Sequence, residues 1–140
     1  MELEVRIGRL GAQGDGIAEG PDGPLFVPFA LPGELVSVIA APGSHRAGLI
    51  DVLEPSPDRI VPICPHLGIC GGCALQYLEE GAYLAWKREL VVAALRSRGL
   101  DAEVEAVRPV PLGSRSVPHW RSAGRSRASL SAIAAPVRMS

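Results

Sequence analysis

Aromatic residues are scarce: two each of Phe, Tyr and Trp make up 4% of the chain. A core built from large rings is therefore excluded, and any core must be mainly aliphatic. No apolar run approaches the roughly 20 residues that cross a bilayer as a helix, and MELEVRIGRL has no signal-peptide pattern. The chain is thus expected in the cytoplasm, without a membrane partner. A disulfide framework fits poorly too, because the three cysteines are an odd number clustered in one short stretch. Acidic residues are absent after Glu105, although 15 precede or include it.

Glycine and proline are plentiful, at 16 and 13 of 140 residues, so turns must be frequent. The length suits one ordinary domain or two very small ones. Charge is divided unevenly. Residues 1–113 carry nine Lys/Arg against 15 acids, a net of −6, whereas residues 114–140 carry five Arg and no acid.

ELEVRI at 2–7 alternates, with Leu3, Val5 and Ile7 on one face and Glu2, Glu4 and Arg6 on the other, as in a half-buried strand. PDG at 21–23 reads as a tight turn between short strands near GIAE and LFVP. ELVSVIA at 34–40 and AGLIDVLE at 47–54 supply further strands. Short strands separated by Gly/Pro turns predict a small closed barrel over residues 1–54, a form that removes exposed edges. PSPDRIVP at 55–62 reads as a linker, taken as residues 55–63. From Leu75 the period becomes helical: Leu84, Val91 and Leu95 share a face, with Leu90 and Ala94 beside them. This helix is expected to begin near Glu79 and to end at Gly99, with Arg96 and Arg98 at its negative end. VEAVRPVPLG at 104–113 starts another extended segment. Residues 114–140, rich in Ser, Arg and Ala without a period, read as a disordered basic tail.

CPHLGICGGC at 64–73 holds Cys64, Cys70 and Cys73. Three thiols so close, in a chain without export signals, point to metal or redox chemistry. The plainer alternative is a set of structural thiols. His66 is open to two readings, a fourth ligand beside three thiolates on zinc or a hydrogen-bonding loop residue.

At these residues the chain resembles a known family. GRLGAQGDGIAEGPDGPLFVPFALPGELV resembles a TRAM domain, a small OB-like RNA-binding barrel. The continuation PSPDRIVPICPHLGICGGCALQYLEEGAYLAWKRELVVAALRSRGL resembles the cluster segment of class I bacterial uracil-C5 RNA methyltransferases, which use S-adenosylmethionine and act mainly on 23S ribosomal RNA. The resemblance covers about residues 5 to 113. It implies a mainly β fold with one long helix: a five-stranded OB-like barrel over 1–54, and an iron–sulfur loop, helix and start of a central domain over 64–113. It also implies that Cys64, Cys70 and Cys73 are three of four ligands to a 4Fe-4S cluster, thiolate being the donor such clusters take. The fourth cysteine of the family pattern has no counterpart among the 140 residues.

RNA, with 23S ribosomal RNA foremost and DNA not expected, is the implied partner. Arg6, Arg9 and Arg46 are then the candidate phosphate contacts, against a net charge of −5 over residues 1–54. Phe26 is open to a core or a base-stacking reading, and His45 could add a polar contact. Lys87 and Arg88 are further candidates, or an ordinary solvated helix face.

The family's S-adenosylmethionine site and nucleophilic cysteine lie in a C-terminal Rossmann-like domain with no counterpart here, so this chain is not expected to methylate RNA alone. The resemblance stops near Ser114–Ser116, and residues 114–140 are what an out-of-frame reading of GC-rich DNA would give. The expectation is a truncated N-terminal portion of such an enzyme. A free-standing RNA-binding module and a small zinc- or iron-binding protein are the alternatives.

Overall fold

The computed structural model describes residues 1–112 and 114. Residues 115–140, for which a disordered or out-of-frame tail is expected, lie outside them. Five strands and one helix follow one another: β1 Glu2–Leu10, β2 Gly16–Gly20, β3 Gly23–Val27, β4 Leu35–Ala40, β5 Ala47–Glu54 and α1 Glu80–Ser97. The described residues divide into two units, Met1–Leu78 and those from Glu79 onward.

The sheet order is β3-β2-β1-β4-β5, with every pairing antiparallel. β1 serves two neighbours in succession. Its first half pairs with β4, from Glu2 opposite Ile39 to Arg6 opposite Leu35, and its second half pairs with β2. A register shift between Ile7 and Arg9 marks the change of partner, a bulge of the kind that bends a strand and sharpens its twist. The sheet curls until its two outer strands meet. Phe26 of β3 forms a parallel bridge to Arg46, and its N–H donates to His45 O at 2.7 Å. Closure there removes the free edges at that line. The mainly β architecture and the five strands follow the sequence reading closely, with β1 running three residues further than ELEVRI.

Alternation along the strands fills the interior. Val5, Ile7, Ala18, Leu25, Val27, Ala30, Val36, Val38, Ala40 and Ala47 form one buried cluster, all aliphatic, as the shortage of rings requires. Two glycines are dictated by different needs. Gly23 closes the β2–β3 hairpin at φ 117°, a conformation that side chains resist. Gly16 is required by space: a Cβ there would lie 2.8 Å from Ala30 O and 2.9 Å from Ile7 Cγ2.

Residues 55–78 belong to the barrel's unit. Leu67, Leu75, Tyr77 and Leu78 are buried, and a Cβ on Gly14 would touch Leu75 Cγ at 3.4 Å. A bridge between Arg59 and Leu78 closes this segment on itself, with Ile60 N–H donating to Tyr77 O at 2.9 Å.

In the second unit, α1 begins and ends where the sequence indicates. Glu79 caps it, its carboxylate accepting from Gly81 N at 2.8 Å and Ala82 N at 3.0 Å. Gly99 follows the last turn at φ 72°. There Leu100 N–H reaches Leu95 O and Gly99 N–H reaches Arg96 O, the paired bonds of a Schellman motif. None of the helix residues is buried: of the apolar stripe, Leu84 and Leu95 are half-buried and Val91 is exposed. No helix among them is long and apolar enough to cross a membrane.

Candidate functional site

Two surfaces of the first unit carry the residues that the sequence singles out. One is the outer face of the barrel at its closing line. The other is the cysteine loop.

Register brings the first surface together. Arg9 is opposite Ile17, Ile17 is opposite Phe26, and Phe26 bridges to Arg46. Directly opposed residues share a face of a sheet. Ile17 stands outside the interior apolar cluster, which takes its neighbour Ala18 instead. The row Arg9–Ile17–Phe26–Arg46 therefore runs across the outer face, with an exposed arginine at each end and a buried isoleucine and a half-buried phenylalanine between them.

The three predicted phosphate contacts differ in what holds them. Arg6 is apart from this row; its guanidinium pairs with Glu54 at 2.6 Å and donates to Gly33 O at 2.9 Å. Arg46 pairs with Asp15 at 3.1 Å. Arg9 has no ion pair among the described residues. Exposed pairs of this kind contribute about 0–1 kcal/mol, so a phosphate can displace the carboxylate at little cost. His45 is exposed, with its ring Nδ1 3.2 Å from Pro24 O. In the second unit, Lys87 lies over the Tyr83 ring at 5.1 Å, and Arg88 Nε donates to Val104 O at 2.9 Å. Lys87 and Arg88 are thus engaged within their own unit.

The cysteine loop is a series of tight turns. Leu67 N–H donates to Cys64 O, and the N–H groups of Ile69 and Cys70 both reach His66 O. Gly68 and Gly71 take φ of 88° and 70°, reversing the chain on either side of Cys70. Gln76 Oε1 accepts from Cys64 N–H at 3.2 Å and ties the start of the loop to its exit. All three cysteines are free thiols, with Cys64 half-buried and Cys70 and Cys73 exposed.

The donor set suits an iron–sulfur cluster chemically, since soft thiolates are what such a group takes and two of the three face solvent. The fold does not gather them. Among the described residues no three His, Cys, Asp or Glu side chains converge to hold an ion, and His66 joins no such group. The described residues also form no parallel α/β sheet with a glycine-rich strand-to-helix turn. S-adenosylmethionine does not fit them, and no methyl-transfer step is assigned to these residues.

Sequence reasoning missed a third element, where residues 55–78 meet the barrel. Glu34 is wholly buried, and its carboxylate meets Arg59, which arrives from the segment read as a linker. Tyr77 is buried beneath that guanidinium, and burial pushes its phenol well above the ordinary tyrosine range while Arg59 pulls it back. The signal available in the sequence was an acid in LPGELV and a base in PSPDRIVP, too far apart to pair by spacing.

Comparison with known proteins gives a consistent answer. An uncharacterized RNA methyltransferase of Brucella suis is 52% identical over 101 residues, which are 72% of this chain and 24% of that protein. One from Caulobacter vibrioides is 42% identical over 127 residues, 89% of this chain and 30% of that protein. A 23S rRNA (uracil(1939)-C(5))-methyltransferase of Alkalilimnicola ehrlichii is 36% identical over 100 residues, 69% of this chain and 22% of that protein. The chain spans about a quarter of the length of these relatives. The Caulobacter match covers too much of the chain to stop at residue 114, so shared sequence continues beyond it. No protein-family model matches the chain.

Proposed function

We propose that this chain, a homologue of the RNA methyltransferases over most of its length, serves as the RNA-gripping segment of a uracil-C5 methyltransferase acting on 23S ribosomal RNA. The outer row Arg9–Ile17–Phe26–Arg46 carries the reading. Two guanidinium groups flanking a partly exposed ring suit a single strand, whose phosphates take the cations while a base stacks on the ring. The barrel's net negative charge favours this local patch over a broad electrostatic footprint, so binding should be modest and confined to the row. Activity of the whole enzyme would take place in the cytoplasm, with S-adenosylmethionine as methyl donor.

Cys64, Cys70 and Cys73 would hold three irons of a 4Fe-4S cluster, with the fourth ligand coming from outside these 140 residues. When bound, such a group would cross-link the loop. Exposure of Cys70 and Cys73, with Gly71 free to turn between them, supports this reading. A domain layout of barrel over 1–54, linker over 55–63 and cluster segment over 64–113 goes with it.

The test is binding of a short uridine-containing single-stranded RNA to the full chain, followed by fluorescence anisotropy across a salt series. Affinity should fall with salt by about 0.7 log units per log unit for each phosphate contact. Affinity that is absent or indifferent to salt contradicts the RNA reading. Iron and acid-labile sulfide after anaerobic reconstitution test the cluster separately. Zinc without sulfide would favour the small metal-binding alternative.

A further inference from the structure

We propose that Arg59 and Tyr77 are positioning residues through which the barrel sets the order of the cysteine loop, and with it the loop's readiness to take up a metal. The second part rests on the metal reading above; the first does not.

A continuous path of contacts leads from the barrel to a cysteine. The buried Glu34 carboxylate accepts from Leu31 N at 2.8 Å, Ser56 N at 3.1 Å, and Arg59 Nε and Nη2 at 2.6 and 2.8 Å. A second bond from Arg59 Nη2 reaches Phe29 O at 2.7 Å. The same guanidinium lies 5.1 Å from the centroid of the Tyr77 ring, which in turn sits 6.0 Å from the ring of Phe29. Tyr77 O then receives Ile60 N–H, and its neighbour Gln76 holds Cys64 N–H.

Three features separate this arrangement from an ordinary core ion pair. Phe29 is held at φ 66°, the sole non-glycine residue in that region among those described, so the contacts around it sustain a strained backbone. Arg59 grips both oxygens of Glu34 with Nε and Nη2 and reaches a carbonyl with the same Nη2, a planar geometry that a lysine cannot reproduce. Tyr77 stands outside the barrel's apolar cluster, and its buried ring lies between Arg59 of the segment 55–78 and Phe29 of the barrel. The cysteine loop itself has little else to hold it, because Leu67 is the one buried residue between Cys64 and Cys73. Groups behind the ligands commonly set a metal site's affinity without touching the metal.

The experiment compares the full wild-type chain with Tyr77→Leu and Arg59→Lys by amide hydrogen exchange, and by titration with Co(II) alone. Both variants should speed exchange in residues 60–78 by about tenfold or more while peptides from residues 1–54 keep their protection. Cobalt–thiolate absorption should then need about 10–100-fold more metal than in the wild type. Unchanged exchange in residues 60–78 in both variants overturns the proposal. Loss of protection in barrel and loop together also overturns it, since that would make the cluster a plain part of the barrel core. If the wild type gives no cobalt–thiolate band, the metal reading fails while the exchange data still decide the coupling.

Discussion

Gly16 and Gly71 stand for two ways of ordering a chain. At Gly16 any side chain would run into Ala30 O at 2.8 Å, so the packed interior of the barrel selects the residue. At Gly71 nothing lies within 4 Å of where a Cβ would be, and φ of 70° selects it instead. The barrel is held by ten mutually buried aliphatic side chains. The cysteine loop is held by backbone turns, one buried leucine and polar anchors at its base. Packing resists local change because neighbours cannot relax, whereas a loop of turns can be reshaped by a ligand. That difference would suit the function proposed above, a rigid RNA-binding face with a separate loop whose thiols converge on a cluster.

Substitutions should act most strongly where the two regions join. Glu34→Ala leaves Arg59 and the N–H groups of Leu31 and Ser56 without their acceptor and should loosen residues 55–78 by about 3 kcal/mol, read as faster amide exchange there than in the strands. Gly16→Ala strikes the barrel alone and should cost about 1–3 kcal/mol through overpacking. Gly71→Ala strikes the loop alone. Its strain of roughly 1–2 kcal/mol should speed exchange near Cys70 and Cys73 while leaving the barrel's melting temperature in place.

A smaller effect belongs to the helix. Backbone N–H bonds from Gly81 and Ala82 hold the Glu79 carboxyl below its ordinary range. Its contribution is therefore complete above the unfolded carboxylate value and is lost as pH falls through the lowered folded one. Far-UV circular dichroism should show α1 fraying at its start over that acidic interval, and Glu79→Gln should weaken the dependence. Smallest of all, Arg9→Gln should flatten the salt dependence of RNA affinity by about 0.7, while Arg88→Gln should leave it unchanged.

Local chemistry made much of this structure readable. Alternation in ELEVRI, the PDG turn, and Gly99 after the last helical turn each act within a few residues. The outer row was harder, because Arg9 reaches the line of Phe26 and Arg46 only through the register shift after Ile7. Pairing of Glu34 with Arg59 was beyond reach, since a separation of 25 residues carries no periodic signal. Likewise, the arginines could be named from sequence, but not the engagement of Arg6 and Arg46 with Glu54 and Asp15. The helix shows the converse case: its apolar stripe is plain in the sequence, yet no residue of α1 is buried.

The most direct measurement is a two-dimensional amide NMR titration of the full chain with a short uridine-rich RNA. Shifts should concentrate at Arg9, Ile17, Phe26 and Arg46 and their strand neighbours, with β4 and α1 nearly still. Shifts that centre on another face, or no saturable shift at all, would contradict the proposed RNA face.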